Sequence, residues 1–314
     1  MAFNITDLLT TTVTLSGPIA LACLCVMWCE LSGVYVFGTE AIMLVGALAG
    51  FLGAFVTGNL AIGVLIGLGG GILMGLLTAF YEVTISADQI IFAIALLVIG
   101  PALTDYIFSA YAATPAHALS IFTTTYPAIP VPYLSSIPYL GAFFDQSWFV
   151  YASYALVIFS QWFLYRTKWG LRIRAVGMNP QAADSMGSNV YRVRYLCILV
   201  GATMAALGGV ALILAGTGYW VDNVTAGRGL IGVALVRVGN WRVYLTYVTA
   251  LFVSGLLAAS TDLTQVYSSS AGSTFPYEIF SALPYIFAVA VIAVSYKWTR
   301  SNEPKSLGRP YKRE

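Results

Sequence analysis

The chain has 314 residues, 59% of them hydrophobic and 9% charged, with a mean hydropathy of +0.82 and a formal net charge of +2. Soluble globular domains carry about 25% charged residues, so a soluble domain is excluded and the chain reads as an all-α polytopic integral membrane protein. Its basic residues flank apolar stretches without aromatic interleaving, which argues against a nucleic-acid partner.

A hydrocarbon core about 30 Å thick takes about 20 helical residues per crossing. On that ruler spans are predicted near 8–29, 41–57, 60–81, 89–108, 148–165, 195–215, 224–239, 243–260 and 279–297, about nine in all. No Lys or Arg precedes Arg166, so the first apolar segment lacks the basic flank of a signal peptide and is expected to be retained. Cys23, Cys25, Cys29 and Cys197 lie in apolar surroundings without Cys/His ligand spacing and read as small buried residues. Gly63, Gly67, Gly71 and Gly75 recur every fourth position, a spacing that lets helix backbones approach closely in lipid. Other glycines interrupt spans: Gly33 and Gly38 before the second, Gly216, Gly218, Gly227 and Gly229 around the seventh. Such interruptions predict broken or half helices that expose backbone groups within the membrane.

The connection 109–147 holds Pro115, Pro127, Pro130, Pro132 and Pro138 and no basic residue, so it reads as a compact external loop rather than long helix. His117, the single histidine, has no companion ligands and reads as an ordinary loop residue. The loop 166–194 is the opposite in character, with Arg166, Lys168, Arg172, Arg174, Arg192 and Arg194. Basic loops stay in the cytoplasm. Counting crossings from there puts the N-terminus outside and the C-terminus, with the basic tail 298–314, inside. Of the 15 Lys and Arg, Arg228 alone then falls elsewhere. Within this loop Asn179 can cap a short helix, Pro180 suits its first position and Gly187 its left-handed end.

No catalytic constellation or metal-ligand cluster is present, and no lysine follows a glycine, so a phosphate-binding GxxxxGK[ST] loop is ruled out and the chain does not itself hydrolyse ATP. Ionisable groups near spans are functional candidates because lipid disfavours them: Glu40, Asp88, Asp105, Asp222 and Arg228, with Gln89. Asp88 equally reads as a charge at a helix start. Gly38, Glu40, Gln89, Trp220 and Arg228 are taken as candidate pathway residues.

The run T-K-W-G-L-R-I-R-A-V-G-M-N-P-Q-A-A, Thr167 to Ala183, resembles the cytoplasmic loop of permease subunits of ATP-binding-cassette (ABC) importers, in the branch that moves ribose, other simple sugars and nucleosides. S-G-V-Y-V-F-G-T-E-A-I-M-L-V-G-A (Ser32–Ala47), S-A-D-Q-I-I (Ser86–Ile91) and T-A-G-R-G-L-I-G-V-A-L-V (Thr225–Val236) are similar to three further segments of that family, in the same order over about residues 8–297. The resemblance implies a plasma-membrane permease domain at 1–297. It also implies a separate ATPase that carries ATP and magnesium, a second homologous permease and an external solute-binding lipoprotein, with membrane lipid around the spans and no cofactor on this chain. Arg172, Arg174, Asn179, Pro180, Gln181, Ala182, Ala183 and Asp184 would then contact the ATPase. Nucleosides are the expected substrate and simple sugars the alternative. An ion-coupled secondary transporter is the rival class; it would need more buried acids than the sequence displays. The chain departs from nucleoside-type members at Val36, Ala41 and Val243, where those carry Asn, Gly and Pro.

Overall fold

The computed structural model describes residues 5–112, 125–270 except 136 and 138, residue 286, and 302–312; of 112 and 264–270 it describes the backbone alone. Its helices in order are α1 (Ile5–Leu31), α2 (Thr39–Thr57), α3 (Leu60–Ala79), α4 (Gln89–Ala112), α5 (Trp148–Arg166), α6 (Lys168–Met178), α7 (Pro180–Ser185), α8 (Val190–Leu212), α9 (Arg228–Val238) and α10 (Val243–Ser270). Single π-turns, Phe80–Thr84 and Ile213–Thr217, extend α3 and α8. Among the described residues seven helices, α1 to α5, α8 and α10, are long and apolar enough to cross a membrane. They coincide with seven expected spans. The seventh, 224–239, holds only the 11-residue α9, about 16 Å long at 1.5 Å per residue and too short to cross alone. The ninth, 279–297, lies outside the described residues, as does His117.

Burial sorts the helices into two layers. In α1, 83% of the apolar window is buried, and α2 and α8 are similar; in α4 the figure is 22%. Apolar side chains on α3 and α4, such as Leu65, Leu73, Ile91 and Val98, are exposed, as lipid allows. The glycine stripe of α3 lies against the core: a Cβ on Gly63 would press on Ala54, on Gly67 against Gly46 and Gly50, on Gly75 against Ala202. These glycines are packing residues, as their spacing predicts. All four cysteines are free and buried.

The outer connection is compact over 125–147. Ile129–Pro130 pairs antiparallel with Asp145–Gln146, and a 3-10 turn spans Leu140–Phe143. Gln146 anchors the loop to α1, accepting from Thr14 Oγ1 (2.8 Å) and donating to Thr10 and Ala142 carbonyls. The segments expected to share the basic side all meet at the other end of the bundle. Tyr35 N donates to Gln89 Oε1 (2.8 Å), Trp241 Nε1 to Glu30 Oε2 (2.8 Å), and Ser306 N to Gly177 O (3.0 Å).

Candidate functional site

Two helices begin inside the bundle rather than at its surface. After α1 the chain turns at Gly33 (φ 86°) and runs extended through 34–36 before α2 starts at Thr39. After α8 the chain passes through turns at 222–227 before α9 starts at Arg228, with Asn223, Ala226 and Gly227 all at positive φ. Two non-glycine residues in that region store strain that the surroundings must hold. Gly232 of α9 packs on Ala22 and Cys23, well inside the 27-residue α1, so the start of α9 lies deep in the bundle.

Glu40, in the first turn of α2, joins the two starts. Its Oε1 accepts from Gly227 N (2.7 Å) and from the Thr225 hydroxyl, and its Oε2 from Gly229 N (2.7 Å). The carboxylate is buried yet every oxygen is engaged. It caps α9 from a distance of 189 positions in sequence, and it sits at the positive dipole ends of two helices at once. Gly229 is required by closeness: a Cβ there would stand 2.7 Å from Glu40 N and 2.8 Å from its Cα. Thus the G-T-E and G-R-G segments are two halves of one joint.

The other pathway candidates lie apart. Gly38 abuts Leu96, where a Cβ would approach within 2.9 Å. Gln89 is buried at the inner end, its Oε1 on Tyr35 N and its Nε2 without a partner among the described residues. Trp220 stacks on Phe108 (5.5 Å) beside Phe51, facing Asp105. Arg228 donates to Val224 O (2.9 Å) and lines a cavity of about 570 Å³ between α1, α5, the end of α8 and 221–228. Thr14, Ser147, Thr217 and Asn223 add polar groups to its wall. Of the five candidates only Arg228 reaches it. Asp88 acts as a helix cap, its Oδ1 accepting from Ile90 N (2.9 Å) and Ile91 N (3.1 Å).

Two acids escaped the reading of the sequence. Glu30 and Glu82 are buried at the inner ends of α1 and α3. Glu30 accepts from Trp241; Glu82, in a π-turn, has Oε2 without a partner among the described residues, near the buried Arg194. A lone acid near the end of an apolar run looks interfacial in sequence, and the π-turn that buries Glu82 leaves no local signature.

The basic loop folds into two helices, one more than expected. Thr167 caps α6 through Gly170 N (3.1 Å). Its Arg172 is exposed over the Trp169 ring (5.1 Å), whereas Arg174 turns inward over Tyr165 (5.0 Å). Then comes α7 as read: Asn179 Oδ1 accepts from Ala182 N (3.1 Å), Pro180 is at N1 and Gly187 has φ 84°. Gln181, Ala182, Ser185 and Met186 form its exposed face. Ala183 is buried and Asp184 accepts from Tyr311 OH (3.0 Å), so these two anchor the helix. The tail 302–312 straps this loop to the bundle. Ser306 Oγ donates to Gly177 O (2.7 Å), Arg194 to Arg309 O (3.4 Å), and Tyr311 packs on Tyr191.

Long apolar helices, two helix starts joined deep in the bundle and a capped helix at the basic end together define a polytopic transport subunit built on discontinuous helices. Residues 8–295 match the family model described as the branched-chain amino acid transport system permease component. A putative glucose ABC transporter permease of Haloferax volcanii is 33% identical, over 98% of each chain. A guanosine ABC transporter permease of Bacillus subtilis is 27% identical over 96% of this chain and 94% of its own, and a nucleoside ABC transporter permease of Lactococcus lactis 28% over 89% of each. The chain belongs to this family of ABC transporter permeases and is a multi-pass plasma-membrane protein, a transport component rather than an enzyme.

Proposed function

We propose that the chain forms the translocation path of an ABC importer for nucleosides, driven by a separate ATPase that docks on α7 and supplied by an external solute-binding lipoprotein. A second homologous permease completes the pore. The N-terminus is external and the C-terminus cytoplasmic. The observation that carries this reading is the exposed face of α7, Gln181, Ala182, Ser185 and Met186, on a helix fixed from behind by Ala183 and Asp184. Met186 is 87% exposed on an aqueous-facing loop, and an apolar side chain so placed favours burial by a partner. Docking moves the pore only if the ATPase binds its two conformations unequally. A helix held at its rear can pass that difference to the bundle.

Ala182→Pro removes a backbone donor that Asn179 uses and breaks α7. It should abolish co-purification with the ATPase while membrane insertion is unchanged; intact co-purification and transport would sink the docking role. Uptake of labelled guanosine, uridine and glucose, with and without ATP depletion, tests the substrate. A simple-sugar permease is the second reading, favoured by the 33% identity to the glucose-type relative. Uptake that survives ATP depletion but not collapse of the ion gradient would favour an ion-coupled carrier instead.

A further inference from the structure

At the basic end, Tyr165, Arg174, Trp241, Arg242, Asn302 and Pro304 surround a cavity of about 370 Å³, within the range of small-molecule sites, about 300–1,000 Å³. Two guanidinium groups face it and no carboxylate is among its described walls. Arg174 lies over the Tyr165 ring at 5.0 Å, and its Nε is buried without a partner among the described residues. Both Arg174 and Arg242 exert their charge on Tyr165. Of the acids nearby, Glu30 accepts from the Trp241 indole and interacts with Arg237, and Glu303 acts on Glu30 and Tyr35. A buried guanidinium edge with no acceptor costs free energy until an anion supplies one.

The surroundings place this cavity at the level of lipid headgroups. Trp162 at the end of α5, with Trp169 and Leu171 on α6, are all more than half exposed. Exposed tryptophans next to a basic segment mark the membrane interface, and basic pockets between helices on the cytoplasmic side suit phosphate-bearing headgroups. We propose that the cavity is a binding site for the phosphodiester of an anionic phospholipid, gripped by Arg174 and Arg242. The tail strap closes one side through Asn302 and Pro304, so a bound headgroup joins α5, α6, the 241–242 turn and the tail.

The test uses the full-length chain in nanodiscs of phosphatidylglycerol and phosphatidylcholine, extracted into detergent and weighed intact by native mass spectrometry. Wild type should retain phosphatidylglycerol and not phosphatidylcholine. Retention should fall tenfold or more in Arg174→Gln/Arg242→Gln, and stay unchanged in Lys168→Gln/Arg192→Gln, which removes equal charge outside the cavity. Asn302→Trp fills the mouth without altering charge and should reproduce the loss, so a folding defect in the arginine variant does not leave the question open. Equal retention of both lipids, or equal loss in the Lys168/Arg192 control, overturns the site. Saturable binding of radiolabelled inorganic phosphate to the delipidated chain, undiminished by added phosphatidylglycerol, would assign the site to free phosphate and overturn the lipid.

Discussion

Glu40 and Glu82 are both buried carboxylates in one bundle, and their settings differ in every respect that matters to motion. Glu40 has donors on both oxygens, two of them backbone amides fixed by the start of α9. Glu82 sits in a π-turn with an orphan oxygen, and the buried Arg194 beside it has Nε and Nη2 without partners among the described residues. Orphaned buried polar groups are costly and fully engaged ones hold a unique geometry. The deep joint is therefore held in one geometry, and it is expected to act as a fixed pivot. The inner end, incompletely satisfied among the described residues, is where a second arrangement is expected to cost least, and it lies next to the loop that carries α7.

The largest expected effect comes from breaking the pivot. Glu40→Ala leaves Thr225, Gly227 and Gly229 donors buried without an acceptor, each loss on the order of 1–3 kcal/mol. Transport should fall below a tenth of wild type and the heat-aggregation midpoint of the detergent-solubilised chain should drop. Glu40→Gln keeps one acceptor oxygen and should fall between. Unchanged stability in both would show that the joint is not a pivot. Gly229→Ala attacks the same place sterically, and overpacking of this kind costs about 1–3 kcal/mol. Its loss should not add fully to that of Glu40→Ala, because both substitutions part the same contact between the starts of α2 and α9, although the clash with Glu40 N and Cα remains in the alanine background. Additive losses would separate the two residues.

Conversely, Glu82→Gln should cost less than Glu40→Gln despite equal burial, since it neutralises a carboxylate that is only partly served. A conformational readout sharpens the contrast. Accessibility of a cysteine placed at exposed Thr84, in a background with native cysteines replaced, should change in Glu82→Gln and not in Glu40→Gln. The reverse result would exchange the roles of the two regions.

The pivot was half legible. Gly227, Gly229 and Glu40 each stood out in the sequence, yet nothing local announces a hydrogen bond across 189 positions. The short span at 224–239 was overcounted for a related reason: hydropathy cannot tell that Asn223, Ala226 and Gly227 take positive φ and postpone the helix to Arg228. Where signals are local, as with Asn179 at the cap, Pro180 at the first position and Gly187 at the left-handed end, the reading matched the structure. For α6 the local cap Thr167 was present but was masked by the charge of its surroundings.

The smallest effect belongs to the strap. Tyr311→Phe removes one hydrogen bond, to Asp184, and retains the ring contact with Tyr191 at 5.6 Å. A hydrogen bond to a charged group contributes about 1.5–3 kcal/mol, and a partly exposed one such as this falls at the lower end. At 1.4 kcal/mol per factor of ten in an equilibrium constant, the open state of the tail should rise about tenfold. Limited trypsin digestion reads this directly, because exposed Lys305 immediately precedes the anchor Ser306, and the Lys305–Ser306 bond is cut only when the strap opens. Cleavage after Lys305 should accelerate in proportion when opening is fast relative to cutting, while cleavage after Arg166, the last residue of α5, stays constant as an internal standard. If both sites accelerate together, the hydroxyl stabilises the whole inner end, and the strap has no independent opening.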